Sequence, residues 1–194
     1  MTVTLVTGGT RSGKSRHAEA LLRDDADVTY VATGTAVNVA DGADGADGAD
    51  GADAEWAQRV SVHRARRPSG WRVLETSDVA GVVRAAEGSV LVDCLGTWLT
   101  GLVDDADLWD DLPAASRLAG AATADLRDAL ATTGARVVVV TNEVGLAPVA
   151  TTPAGRWFQD ELGRLNAEVS AHADHVHLVV AGRVLDLSDA PVVR

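Results

Sequence analysis

The sequence predicts an α/β fold, with a mostly parallel β-sheet and helices on both of its faces. The first observation is a series of short, β-branched runs that suit buried strands, at 3–7, 28–32, 89–93, 136–141 and 175–180. The second is the set of helical segments that alternate with them, at 15–22, 55–66, 78–86, 114–132 and 152–173. Such alternation gives right-handed βαβ units, so neighbouring strands run parallel. Residues 182–187 are a candidate for a last, antiparallel strand.

The first predicted strand runs straight into a phosphate-binding motif. The segment Gly8-Gly9-Thr10-Arg11-Ser12-Gly13-Lys14-Ser15 matches GxxxxGK[ST] at every fixed position. In such a loop the backbone N–H groups hold phosphate oxygens, Lys14 reaches the β- and γ-phosphates, and Ser15 is the expected Mg²⁺ ligand. Lys14 is the only lysine among 17 Lys and Arg residues, at a position that needs a compact point charge. The motif and its flanks predict nucleoside triphosphate binding in a P-loop NTPase fold of the RecA-like type.

Length and charge restrict the classes of function. A chain of 194 residues predicts a single domain that spans 1–194. The net charge of −11, with no basic cluster larger than 64–67, argues against nucleic acid or an anionic membrane as a partner. The lone Cys94 excludes an internal disulfide, and the sequence shows neither a signal peptide nor a long apolar stretch. We therefore expect a cytoplasmic location.

The segment Ala40 to Asp53 stands out, because it consists of four Ala-Asp-Gly copies followed by Ala-Asp. It has no apolar face at the helical or the strand period, so we expect a flexible, solvated insertion in a loop. A calcium-binding repeat is the alternative. The three-residue period lacks the bidentate glutamate and the spacing of a Ca²⁺ loop, which disfavours that alternative.

Two residues outside the P-loop are candidates for chemistry. Asp93 ends an apolar strand, where a P-loop fold places a carboxylate linked to Mg²⁺; the alternative is a cap for the next helix. His63 lies among arginines and would share a helix face with Arg59 and Arg67. A neutral imidazole there could attack phosphorus, but spacing alone favours a solvated basic helix face.

The other histidines and the tryptophans have simpler interpretations. His17 is expected to be a packing or capping residue rather than a catalytic one. No cysteine or carboxylate completes a metal set with His172, His175 and His177, so we expect no structural zinc. The core or a subunit contact is the expected place of Trp98, Trp109 and Trp157.

Taken in order and spacing, several segments resemble the bifunctional adenosylcobinamide kinase/adenosylcobinamide-phosphate guanylyltransferase family of cobalamin biosynthesis. The resemblance covers nearly the whole chain. The segments that carry it are 8–19, Tyr30-Val31-Ala32-Thr33, 63–68 with Trp71 and Glu75, Asp93-Cys94-Leu95, Thr141-Asn142-Glu143-Val144-Gly145 and Gly163-Arg164-Leu165-Asn166.

The resemblance implies two activities. His63 would attack the α-phosphorus of GTP, release pyrophosphate and carry the GMP as a guanylylated imidazole. The same chain would phosphorylate the aminopropanol hydroxyl of adenosylcobinamide with the γ-phosphate of ATP or GTP, aided by Mg²⁺ bound through Ser15 and Asp93. Further nucleotide contacts are implied for Thr33, Gly34, Thr35, Arg64, Ala65, Arg66, Arg67, Glu75 and Asp93. The resemblance also implies a homotrimer.

The sequence departs from the family pattern in three places. The Ala-Asp-Gly run is an extra stretch, residues 146–150 lack an expected Gly and a Val-Pro pair, and position 93 is Asp where relatives often have Glu. Two other functions therefore stay open. One is a P-loop small-molecule kinase without guanylyltransferase activity, and the other is a nucleotide-dependent switch or assembly protein.

Overall fold

A seven-stranded sheet organises the computed structural model, which describes residues 2–34, 68 and 70–193. Its strands are β1 Thr2–Gly8, β2 Val28–Ala32, β3 Arg72–Glu75, β4 Ser89–Asp93, β5 Arg136–Val140, β6 His175–Val180 and β7 Arg183–Asp186. Their order across the sheet is β3-β2-β4-β5-β1-β6-β7. The pairings are parallel except that β7 runs antiparallel to β6. The predicted mostly parallel α/β sheet is therefore confirmed, including its antiparallel last strand.

Helices cover both faces of this sheet. The described helices are α1 Lys14–Leu21, α2 Val79–Ala85, α3 Leu95–Asp105, α4 Leu112–Thr132 and α5 Pro153–Ala171. On one face α2 to α5 pack against β1, β4 and β5 in the larger apolar core. On the other face Ala18 of α1 and the following Leu22 pack with residues such as Tyr30, Leu91 and Val138. Both faces are thus covered, which explains why β4 and β5 are almost continuously apolar between their ends.

Local sequence signals set the helix starts. The side chain of Asp78 accepts a hydrogen bond from the Gly81 N–H, and that of Asp111 accepts one from Ala114, each at 2.9 Å. Thr152 caps α5 in the same way, with a proline in the first turn after it. These caps satisfy N–H groups that the first helical turn leaves without partners.

One strand, β3, and one helix, α3, are not predicted by the sequence pattern. Strand β3 has only four residues, and three of them are exposed. It therefore lacks the buried β-branched run that would predict a strand, and its pairing with β2 makes this segment a strand. Helix α3 contains two glycines and two threonines, which weaken the helical signal, and burial of Leu95, Trp98 and Leu99 outweighs that weakness.

The predicted tryptophan positions and the length of the helices can be checked in the structure. Trp98 and Trp157 are buried in the larger core, which is one of the two places predicted for them. Trp109 is half-buried and packs edge-on against Trp157, with ring centroids 5.6 Å apart. Within the described ranges, no helix combines the length and the apolar character needed to cross a bilayer. The predicted helix at 55–66 and the Ala-Asp-Gly segment at 40–53 lie outside the described residues.

Candidate nucleotide site at the carboxyl ends of the strands

The P-loop connects β1 to α1 at the carboxyl edge of the sheet. A Cβ atom on Gly8 would collide with the Val179 carbonyl oxygen and the Ser12 side chain. Gly13, the residue before α1, has φ +99°, a conformation that side chains rarely adopt. The loop is closed internally by the Ser12 N–H, which donates to the Gly9 carbonyl at 3.3 Å. Gly8 and Gly13 are therefore required by the loop geometry itself, before any ligand is considered.

The Lys14 side chain turns back over this loop. Its Nζ donates to the Gly9 carbonyl oxygen at 3.3 Å. Burial of the ammonium group lowers the pKa of Lys14, and the nearby Cys94 and Asp93 oppose that change. The amine thus lies over the concave side of the loop, where the phosphates of a nucleotide would be held.

The two predicted metal residues come together, and a third side chain joins them. Ser15 Oγ donates to Asp93 Oδ1 at 3.4 Å, and the Tyr30 hydroxyl donates to Asp93 Oδ2 at 2.8 Å. The cap of α3 is Cys94, not Asp93, so the capping alternative for Asp93 is wrong. A hydroxyl and a carboxylate are the hard oxygen donors that Mg²⁺ prefers, usually with substrate phosphates. The pair therefore fits the ion chemically.

In the part of the chain that the structure describes, no group of three or more His, Cys, Asp or Glu side chains is arranged to hold a metal ion. Of the three histidines in the second half of the chain, His175 and His177 are neighbours on β6, with ring centroids 6.3 Å apart, while His172 lies at the end of α5. His172 pairs with the Glu168 carbonyl of its own helix at 2.9 Å. His177 Nδ1 is 3.0 Å from His17 Nε2. His17 therefore packs α1 against β6, in agreement with its predicted structural role.

Thr33 is turned into the protein. Its hydroxyl accepts from the Cys94 N–H at 3.0 Å, contacts the Cys94 carbonyl at 2.7 Å and lies 2.7 Å from the Thr97 hydroxyl. These bonds fasten the end of β2 to the start of α3. Gly34 follows at the same edge and is half-buried. A nucleotide contact at Thr33 would thus fall to its backbone, because the hydroxyl is engaged elsewhere.

Glu75 lies at the same edge, two strands away from Asp93. The register places Asp93 beside Ala32, and Ala32 beside Glu75. At the usual spacing of neighbouring strands, the backbones of Glu75 and Asp93 are about 10 Å apart. Glu75 is exposed. It is therefore placed at a distance from the phosphate loop, not among the groups that surround Lys14.

The residues that fix the end of β5 carry no local sequence pattern that marks them. The Glu143 N–H donates to the Gly8 carbonyl at 3.1 Å, so the chain after β5 lies against the P-loop. The Asn166 side chain accepts from the Thr141 hydroxyl at 2.6 Å and donates to the Asn142 carbonyl at 3.0 Å. These residues, like Tyr30, belong to the segments that carry the family resemblance. The family resemblance includes these residues, but it implies no role for them.

The remaining predicted site residues, Thr35, His63, Arg64, Ala65, Arg66 and Arg67, lie outside the described residues. The structure therefore brings together Lys14, Ser15 and Asp93 and leaves the proposed nucleophile as a prediction. What it describes is a phosphate-binding loop, a lysine and an oxygen pair at the carboxyl ends of parallel strands. This is the edge at which α/β sheets bind their ligands.

Comparison with known proteins agrees with this geometry. The family model for "Cobinamide kinase / cobinamide phosphate guanyltransferase" matches residues 4–187. The bifunctional adenosylcobalamin biosynthesis protein CobU of Escherichia coli (strain K12) is 37% identical over 188 residues, which cover 92% of this chain and 95% of that protein. CobU of Salmonella typhimurium is 36% identical, with coverages of 92% and 95%.

A third relative carries a different name. The bifunctional adenosylcobalamin biosynthesis protein CobP of Pseudomonas aeruginosa is 35% identical over 193 residues, which cover 97% of this chain and 98% of that protein. The matches extend over almost the full length on both sides. On this agreement of sequence and site, the chain belongs to the cobinamide kinase / cobinamide phosphate guanyltransferase family.

Proposed function

We propose that this chain phosphorylates adenosylcobinamide with ATP or GTP and then transfers GMP from GTP to the product, forming adenosylcobinamide-GDP. The observation that carries the proposal is the P-loop with Lys14, Ser15 and Asp93 gathered at one sheet edge, in a chain that matches the family over residues 4–187. We further propose a cytoplasmic homotrimer as its working form.

The kinase step needs positioning and charge stabilisation more than covalent chemistry. The P-loop N–H groups and Lys14 would hold the β- and γ-phosphates. The substrate hydroxyl would attack the γ-phosphorus in line, lose its proton, and leave the nucleoside diphosphate behind. Ser15 and Asp93 would hold Mg²⁺, which when bound neutralises charge between the β- and γ-phosphates. Tyr30 keeps the Asp93 carboxylate in place by its hydrogen bond.

The guanylyl step would proceed in two displacements. The His63 imidazole would attack the α-phosphorus of GTP, forming a nitrogen–phosphorus bond as the bond to pyrophosphate breaks. A phosphate oxygen of adenosylcobinamide phosphate would then attack the same phosphorus, forming the pyrophosphate bridge of the product and releasing His63. A covalent intermediate divides one difficult transfer into two easier ones. Lys14 would steady the distal phosphates in the first displacement.

The experiment supplies GTP labelled at the α-phosphate, with and without adenosylcobinamide, and follows both the protein and the corrinoid products. We expect acid-labile, alkali-stable label on the wild-type protein, no label on His63→Ala, and corrinoid that stops at the phosphate ester in that variant. His172→Ala is the matched control, since His172 bonds only its own helix backbone among the contacts described. Phosphate ester without protein label in the wild type would instead identify a kinase that lacks the second activity.

A further inference from the structure

The loop between β5 and α5 exposes two large apolar side chains beside the P-loop. Leu146 is 84% exposed and Val149 is 77% exposed. Most other exposed large apolar residues of the described chain belong to the C-terminal hairpin and tail. Single exposed apolar side chains are common on protein surfaces and need no functional explanation. Leu146 and Val149 differ from such single cases, because both lie in one short segment next to the phosphate site.

This loop, residues 144–152, is held in a defined shape and is called the acceptor loop below. Gln159 fastens it with three hydrogen bonds: Nε2 donates to Val144 O at 3.3 Å and to Pro148 O at 3.2 Å, and Oε1 accepts from the Ala150 N–H at 2.9 Å. Arg156 Nη1 adds bonds to Ala150 O at 3.2 Å and Thr151 O at 2.9 Å. The polar backbone is thus satisfied inward while the apolar tips point outward.

The position of the acceptor loop relates it to the transferred phosphate. Its first residues follow Glu143, whose N–H bonds the Gly8 carbonyl of the P-loop at 3.1 Å. Three residues of chain reach at most about 10 Å, so Leu146 lies within that distance of the Glu143 backbone. A molecule resting on Leu146 and Val149 would therefore lie close to the P-loop end of the sheet.

The kinase substrate under the proposed function has matching chemistry. A corrinoid is a large, methylated macrocycle whose amide-bearing arms surround an apolar edge, and its reacting hydroxyl is at the end of one arm. The hydroxyl must reach the γ-phosphate, so the macrocycle must lie at the mouth of the same site. An ordered loop with exposed apolar tips offers contact area at a small entropic cost.

We propose that the acceptor loop is a docking surface for the corrinoid macrocycle, with Leu146 and Val149 as its apolar contacts and Gln159 and Arg156 as the residues that hold its shape. This inference rests on the proposed function and adds to it the place where the acceptor binds. Leu146 and Val149 then determine affinity for the corrinoid and have no part in nucleotide binding.

The test compares Leu146→Ser/Val149→Ser with a matched control pair, Val184→Ser/Leu185→Ser, on strand β7, where the side chains are 43% and 54% exposed. Binding of adenosylcobinamide is measured by equilibrium dialysis, and KM values for corrinoid and ATP by initial rates. We expect the corrinoid Kd and KM of the loop pair to rise about tenfold, from loss of the buried apolar contacts. The ATP KM and the control pair should not change, and Leu146→Met/Val149→Ile should keep the wild-type affinity.

An unchanged corrinoid Kd in the loop pair would overturn the proposal. So would a change in molecular mass by light scattering with corrinoid binding intact, because it would assign the loop to a contact between copies of the chain. Dialysis needs no turnover. A wild-type chain that binds corrinoid without phosphorylating it therefore contradicts the proposed function, while the comparison of the two pairs still decides the docking surface.

Discussion

The two flanks of the P-loop are built for different tasks. On the β4 and β5 flank, Tyr30 and Ser15 converge on Asp93, and Glu143 lies against Gly8. On the β6 flank, the Gly182 N–H donates to the Ser12 carbonyl at 3.0 Å, and His177 pairs with His17. The first flank gathers groups that can act on phosphates, and the second anchors the loop and its helix. Substitutions on the two flanks should therefore affect different quantities.

The largest effect is expected at the loop itself. Lys14→Ala removes the charge that would hold the β- and γ-phosphates, and kcat/KM for the kinase reaction should fall by about 10³-fold. Rates of adenosylcobinamide phosphorylation measure it. Arg16→Ala, on the same helix and exposed, is the control and should stay close to wild type. Equal losses in both variants would mean that the helix, not the lysine, had been damaged.

The next largest effect is expected at Thr33, on the first flank, and concerns the stability of the fold. Thr33→Val keeps the shape of the side chain but removes the nearest partner of both the Cys94 N–H and the Thr97 hydroxyl, and leaves that N–H only the longer contact of 3.4 Å to Thr97 Oγ1. We expect a loss of about 1–3 kcal/mol in the free energy of unfolding, measured by urea denaturation. Thr132→Val removes a hydroxyl bonded to Asp128 O on the exposed end of α4 and should cost less. Equal losses in the free energy of unfolding for the two variants would contradict the proposed stabilising role of the Thr33 hydroxyl.

A smaller effect on turnover is expected at Tyr30. Tyr30→Phe leaves Asp93 Oδ2 without the donor that lies 2.8 Å away, so the carboxylate should be less well positioned. The Mg²⁺ concentration for half-maximal kinase rate should rise about three- to tenfold, in line with the usual cost of losing one hydrogen bond to a charged group. The KM for corrinoid serves as the internal control and should not move. An unchanged Mg²⁺ dependence would remove Tyr30 from the metal-binding arrangement.

The smallest effect is expected on the second flank. Burial lowers the pKa of His17, and the neighbouring His177 lowers it further. The unfolded chain therefore takes up a proton near pH 6.5 that the folded chain does not, and stability falls as the pH drops through that range. His17→Gln should flatten this part of the profile of Tm against pH, with little change in kcat. The wild-type profile, measured in the same buffers, is the reference for this comparison.

Much of this architecture follows from local sequence. The bounds of strands β2, β4 and β6 agree with the sequence prediction, because runs of β-branched residues favour strands. The expected burial holds for β2 and β4 but not for β6, in which only Val179 is fully buried. The meeting of Ser15 and Asp93 also follows from the rule that parallel strands end at one edge. Strand β3 could not be predicted in the same way, since pairing with β2, not its own composition, makes it a strand.

The site shows the same limit. The positions of Lys14 and Ser15 could be predicted, because the P-loop sequence motif folds into a characteristic loop geometry. The hydrogen bond of Tyr30 to Asp93 spans 63 positions of the sequence, and that of Thr141 to Asn166 spans 25. Such contacts depend on how strands and helices pack, and no local pattern in the sequence specifies them. The inward turn of the Thr33 hydroxyl belongs to the same class.

The central claim is that one P-loop site serves both transfers, and covalent guanylylation of the Lys14→Ala variant tests it most directly. GTP labelled at the α-phosphate is incubated with wild type and with Lys14→Ala, and the acid-labile label on the protein is followed over time. We expect label to accumulate on wild type and to form much more slowly on the variant, because the same lysine steadies the distal phosphates in both reactions. Label that forms at the wild-type rate on Lys14→Ala would contradict the single-site account.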